Sequence, residues 1–155
     1  MRACQHMDPH RLTRELCGNP RARLSVVGIK ERNRPRALAI EPGDQIVFYL
    51  TRVMSFAAIG RISGELFEDR ELLWPGKPGK RDAYPWRFPM EPVLELSEDR
   101  WLAAASLTDQ LEHIKKWPAE HWKLAFQGQL RTVSNADATL LAKRMRAAQK
   151  KQLAA

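Results

Sequence analysis

An unbroken apolar run, Ile46-Val47-Phe48-Tyr49-Leu50, sits between Gln45 and Thr51, and a second apolar stretch opens soon after it at Ser55-Phe56-Ala57-Ala58-Ile59. The first is dense in β-branched and aromatic residues, which predicts a central strand over 45–51. Residues 55–65 predict the next strand, pairing with the first as a hairpin, and Gly60 and Gly64 mark a bulge or a close approach of another backbone. Upstream, Leu24 to Ile29 predicts a strand. Downstream, 87–96 predicts a long one, in which Pro89 and Pro92 confine part of the chain to a sheet edge or a bend.

Between these runs the punctuation is specific. Asp8-Pro9 reads as an N-cap and first helical residue and Gly18 as a stop, predicting a short helix over 9–17. Ala37 to Ile40 predicts a helical turn. Glu41-Pro42-Gly43-Asp44 then predicts a type II turn, because Pro presets φ and Gly accepts a positive one. Trp74 to Asp82, crowded with Pro, Gly and Lys, predicts an exposed loop. In the last third, Ser106 with Asp109 and Ser134 with Asp137 both have capping-box spacing. The second of these opens a helix over 135–149 that turns Leu140, Leu141, Met145 and Ala148 toward a core, and residues 126–133 predict a closing strand before it. This order predicts an α+β fold built on a small, mostly antiparallel β-barrel with peripheral helices. It fits one domain over 1–150, with residues 151–155 a disordered basic tail.

Composition sharpens the picture through charge. The 155 residues carry a net charge of +8, which favours a polyanionic partner. The excess is clustered: residues 1–36 hold nine Lys/Arg against three Asp/Glu, 76–90 hold four against one, and 143–155 hold five against none. Lys77, Lys80 and Arg81 are the best placed for a ligand, since the surrounding Gly and Pro expose them beside aromatic residues. Lys143 to Lys151 reads first as a solvated helix face. No run of 18 apolar residues occurs, so no membrane partner is expected. The N-terminal segment lacks the apolar core of a secretory signal, and Cys4 and Cys17 are too few for a disulfide framework. A cytoplasmic protein with reduced thiols is the expectation.

Catalytic patterns are missing. His113 and His121 do not match a zinc-protease helix, and neither a Gly-x-Ser-x-Gly elbow nor a phosphate loop occurs. Cys4, His6, His10 and Cys17 lack the tight pairing of a metal site, and Glu65, Glu68, Asp69 and Glu71 read as a solvated turn. No cofactor or metal is expected. The aromatics say more, because five Trp is high for this length. Trp74 and Trp86 flank the basic loop, and Tyr49 and Phe56 lie on the two preceding strands. Phe48, Phe67, Trp101 and Trp117 read as core or packing residues. A flipped base can be held between aromatic faces for about 1–3 kcal/mol per stacked base. Gly28-x-Lys30 with Arg34, where a strand passes into a helical turn, adds close backbone approach and cations for an anion.

Taken in order, Gly28-x-Lys30, Pro42-Gly43-Asp44-x-Ile46-Val47-Phe48-Tyr49-Leu50, Phe56-x-Ala58-x-Gly60, Trp74, Tyr84-Pro85-Trp86-Arg87, Trp117-Pro118 with Trp122, and Gly128-x-Leu130-Arg131 to Asp137 resemble the EVE domains of the PUA-like superfamily. The match covers residues 24–145, and the Gly-x-Lys element is also similar to that of ASCH domains. The resemblance implies a PUA-like barrel related to the YTH readers of methylated adenosine. It also implies a pocket for a modified base of DNA or RNA. In that pocket Gly28 and Lys30 form one wall, Tyr49, Thr51 and Phe56 the floor, and Trp74, Tyr84, Trp86 and Arg87 the other side. Arg34, Lys77, Lys80 and Arg81 would contact the nucleic-acid backbone. EVE domains begin with an aromatic-bearing strand, whereas Met1 to Met7 has no aromatic, so that strand is expected to be short or missing. Two other functions fit the same residues: an ASCH-like nuclease or hydrolase pairing Lys30 with Glu31, and a protein-interaction or dimerisation module whose aromatics form the interface.

Overall fold

The structure, a computed structural model, describes residues 25–69, 84–126 and 130–154, together with the backbone of residues 2–5. The helix expected over 9–17 and the loop holding Trp74, Lys77, Lys80 and Arg81 lie outside these residues. Among the described residues, six strands run in the spatial order β2 (Val26–Ile29), β6 (Trp86–Glu95), β4 (Ser55–Ile62), β3 (Gln45–Leu50), β1 (Arg2–Gln5) and β8 (Arg131–Thr132). Two-residue strands, β5 (Phe67–Glu68) and β7 (Leu102–Ala103), flank β6 and β4. Every pairing is antiparallel except β1 with β3. No helix of the described residues is long and apolar enough to cross a membrane.

The sheet follows from the apolar pattern. Because strand side chains alternate, Val47 and Tyr49 of β3 enter one core with Phe56, Ile59, Leu94, Leu107, Phe126, Leu141 and Met145. Ile46 and Phe48 enter a second core on the other face with Val27, Ile29, Ala37, Ile40, Ile62, Phe88 and Met90. Burial on both faces explains why β3 has no polar alternation after Gln45. The hairpin expected between β3 and β4 forms around the turn Thr51–Met54.

The glycine and proline signals are met. Gly43 has φ +94°, and the Asp44 amide donates to the Glu41 carbonyl at 3.1 Å, closing the type II turn. At Gly60 a Cβ would come within 2.3 Å of Met90 Sδ, and the β4–β6 register slips between Ile59 and Gly60, opposite Pro92. Pro92 therefore sits at a bulge, where a missing N–H is tolerated. β6 changes partner along its length, pairing with β2 through Trp86–Pro89 and with β4 through Met90–Glu95.

The expected closed barrel is not observed: β2 and β8 end the strand order, and no ladder joins them among the described residues. Ala37 of α1 (Arg34–Ala37), Ile40 and Leu130 pack against Val27 and Ile29 in the second core, and Arg36 Nη1 donates to the Leu130 carbonyl at 3.5 Å. Leu130 has φ +68°, a left-handed conformation that interrupts extended structure, and among the described residues of the closing strand expected over 126–133 only Arg131–Thr132 is strand. Phe126 instead ends the 3-10 stretch Ala119–Phe126.

The C-terminal helices differ from expectation at the first cap. Ser106 lies in a 3-10 turn and its hydroxyl donates back to the Ala103 carbonyl at 2.7 Å. The helix beyond it, α2, is only Glu112–Lys115. Its N-terminal amides are capped from elsewhere: the buried Asp137 carboxylate accepts from the Glu112 and His113 N–H groups at 2.8 and 2.9 Å. Ser134 does cap α3 (Asn135–Ala154), accepting from the Asp137 amide at 3.2 Å. Leu141 and Met145 of α3 are buried, with Leu140 and Ala148 packed beside them. α3 runs through residues 151–154, where the sequence predicts a tail, and there the Gln152 side chain accepts from the Ser97 amide at 2.8 Å, tying the last turn to the loop after β6.

Candidate nucleic-acid interface

At the end of the β2–β6 ladder, Gly28 lies opposite Arg87 and Ile29 opposite Trp86. The chain leaves β2 into the 3-10 turn Glu31–Asn33 and then α1, so it folds back over the strand ends. Glu31 and Arg34 are three residues apart and share one face of this helical stretch. Both reach Trp86. The indole Nε1–H donates to Glu31 Oε2, and the Arg34 guanidinium lies over the ring with Cζ 4.4 Å from its centroid. One residue earlier, Lys30 Nζ lies 5.6 Å from the centre of the Tyr84 ring. Trp86 is half-buried against the second core, Tyr84 is half-buried, and Arg34 and Glu31 are exposed.

Beneath this surface Arg87 is fully buried. Its Nη1 is 3.1 Å from Asp69 Oδ2 and its Nε–H donates to the Tyr84 carbonyl at 3.3 Å, while the Asp69 amide donates to the Pro85 carbonyl at 2.8 Å. Gly28 has no side chain to occupy the space across the ladder from Arg87. These bonds fix the Tyr84–Trp86 segment from below, so Arg87 acts here as a strut.

The structure thus brings together Gly28, Lys30, Arg34, Tyr84, Trp86 and Arg87 of the sequence-derived set. It places Tyr49 and Phe56 elsewhere, on the other face of the sheet. Tyr49 stacks on Phe126 at 4.5 Å and Phe56 meets the same ring edge-on at 5.6 Å, all three rings being buried in the first core. Burial pushes the Tyr49 phenol up to about 12. Thr51 is half-buried in the β3–β4 turn. Trp74, Lys77, Lys80 and Arg81 lie outside the described residues. Phe67, expected to pack, is 39% exposed on β5. Glu31, which the sequence offers as the partner of Lys30 in a nuclease, meets Trp86 instead, and its three-residue spacing to Arg34 is the signal that links the two. Among the described residues no group of three or more His, Cys, Asp or Glu could hold a metal ion.

No protein-family model matches the chain, and no curated protein is significantly similar to it. Solved structures share its fold. The YTH domain-containing protein mmi1 in complex with RNA aligns with TM-score 0.66 at 9% identity, covering 99% of this chain and 87% of that one. A protein from Pseudomonas putida aligns with TM-score 0.60 at 17% identity, covering 92% and 97%. The YTH domain of Zygosaccharomyces rouxii MRB1 in complex with N6-methyladenosine RNA aligns with TM-score 0.57 at 12% identity, covering 92% and 83%. The chain has the fold of YTH domains.

Proposed function

We propose that this protein is a non-enzymatic nucleic-acid-binding module of EVE type that reads a modified or flipped nucleobase, most readily in RNA. The observation that carries the reading is the Trp86 indole, held in plane by Glu31 and covered by the guanidinium of an exposed Arg34 side chain. A guanidinium stacked on an indole occupies the place a heterocycle would take, and base stacking on an aromatic is worth about 1–3 kcal/mol. When a base enters, Arg34 moves from the ring face to a phosphate, Trp86 stacks the base, and Lys30 and Tyr84 line its edge. Arg87 holds Tyr84 and Trp86 in position. Trp74 supplies a second aromatic, and Lys77, Lys80 and Arg81 extend the cationic rim.

That two YTH domains of the same fold are complexed with RNA, one of them carrying N6-methyladenosine, supports RNA over DNA as the first ligand to test. Glu31, the carboxylate a nuclease would pair with Lys30, is engaged by the Trp86 indole, which favours binding over catalysis. The test is fluorescence anisotropy with short RNA and DNA strands, each with and without N6-methyladenine or 5-methylcytosine. A modified strand binds more tightly than its parent, and Trp86→Ala weakens it roughly 5- to 150-fold, the equivalent of the stacking energy above. Equal affinity for all strands, unchanged in Trp86→Ala, refutes the reading.

A further inference from the structure

A second cleft lies on the far side of α1. Arg34 and Arg36 are two residues apart on this helix, a spacing that sends side chains to opposite faces. Arg34 covers Trp86; Arg36 lines a separate cleft of about 560 Å³ with His113, Lys116, Trp117, Leu130 and Arg131. Three of these residues are cationic, and among the described residues neither Asp nor Glu lines the cleft. Its walls are fixed from both sides. Arg36 is tied to the Leu130 carbonyl, and His113 shares a 2.7 Å hydrogen bond through Nε2 with the Ala125 carbonyl. Trp117 is half-buried against the first core, its amide donating to the Ile114 carbonyl at 3.0 Å, and Lys116 beside it is exposed.

We infer that this cleft takes a nucleotide of single-stranded nucleic acid flanking the one read at Trp86, with the base on Trp117 and its phosphates on Arg36, Lys116 and Arg131. The inference rests on the reading above for the identity of the ligand as a nucleic-acid strand. Three features choose that ligand. An aromatic face among cations, without carboxylates, is the composition of single-strand grooves, where stacking and phosphate neutralisation act together. The volume falls within the roughly 300–1,000 Å³ of pockets that enclose a small organic ligand, whereas a lipid surface would need a flat or convex face. The two arginines of one helical turn place this cleft and Trp86 on either side of α1, so a strand crossing α1 meets both.

The experiment compares two RNAs by anisotropy, one of three nucleotides and one of about twelve, each with a single central N6-methyladenosine. Short strands fill only the Trp86 site; the longer one is within the roughly 4–16 nucleotides a single-strand groove covers. Lys116→Glu, an exposed change, is expected to weaken the longer strand roughly tenfold and leave the shorter one unchanged. It should also flatten the salt dependence by about 0.7 in slope for each phosphate no longer neutralised. Trp117→Leu, which keeps apolar packing and removes the aromatic face, is expected to weaken the longer strand at least severalfold. Should Trp117→Leu fail to fold, Lys116→Glu decides alone. If the longer strand binds both variants like the parent while Trp86→Ala weakens it, the second site is refuted and the reader stands. If Trp86→Ala changes neither strand while Lys116→Glu weakens the longer one, the modified-base reading falls and the cleft stands. If the parent binds neither strand, both are refuted.

Discussion

Two groups of aromatic rings lie on opposite faces of one sheet and differ in what covers them. Tyr49, Phe56 and Phe126 are covered by one another and by aliphatic side chains from β4, β6 and α3. Tyr84 and Trp86 are covered by Lys30, Arg34 and Glu31. A ring in hydrocarbon contributes to stability and has no face left for a ligand. A ring under a cation loses only about 0.5–1 kcal/mol when an exposed cation leaves, so its face can be exchanged. The covering residues, more than the rings themselves, separate scaffold from site.

The largest effect is expected at Phe126. Phe126→Ala should cost about 3–5 kcal/mol of folding stability, the usual toll for a large aromatic removed from a packed core, measurable by urea unfolding. Trp86→Ala should cost far less stability and act on binding instead. Equal losses from the two changes would erase the distinction.

Alkali sharpens it next. The Tyr49 phenol is held near 12 by burial against an ordinary value of 10.0, so its neutral form is favoured in the folded state. This contribution is complete below pH 10 and is lost as pH rises toward 12, because the unfolded chain ionises first. The melting temperature should fall across that window, and Tyr49→Phe should soften the fall. An identical alkaline profile in Tyr49→Phe would show that burial of this phenol does not govern the response. The smallest effect is expected at Arg34: Arg34→Ala should change stability by less than about 1 kcal/mol, read as a small shift in thermal unfolding with the indole fluorescence altered.

Much of the scaffold was legible because it depends on near neighbours. The apolar run of β3, the Pro42-Gly43 turn and the Gly60 bulge each carry their reason within a few residues. Pairing partners were harder to read. Tyr49 and Trp86 look alike in sequence, and only strand alternation across a folded sheet sends one into a core and leaves the other under Arg34. Closure of a barrel depends on strands far apart in the chain: among the described residues β2 and β8 end the order unpaired with each other, which no strand-forming pattern within either segment reveals. The cleft beside α1 has a local trace in Lys116-Trp117, a cation next to an indole. Trp117, expected to pack, lies half-buried against the first core. Its partners Arg36 and Arg131 come from elements far apart in the chain.

The carboxylate of Asp137 holds a distant turn in place. α2 is a single turn, too short to persist unaided, and the groups that fasten its start belong to a residue more than twenty positions later. Lys116 and Trp117 stand at the end of that turn. A chain cut before residue 134 would therefore lose the fastening of this turn together with the α3 side chains that complete the first core, so the last helix to be synthesised closes both the wall that carries Trp117 and the core beneath the sheet.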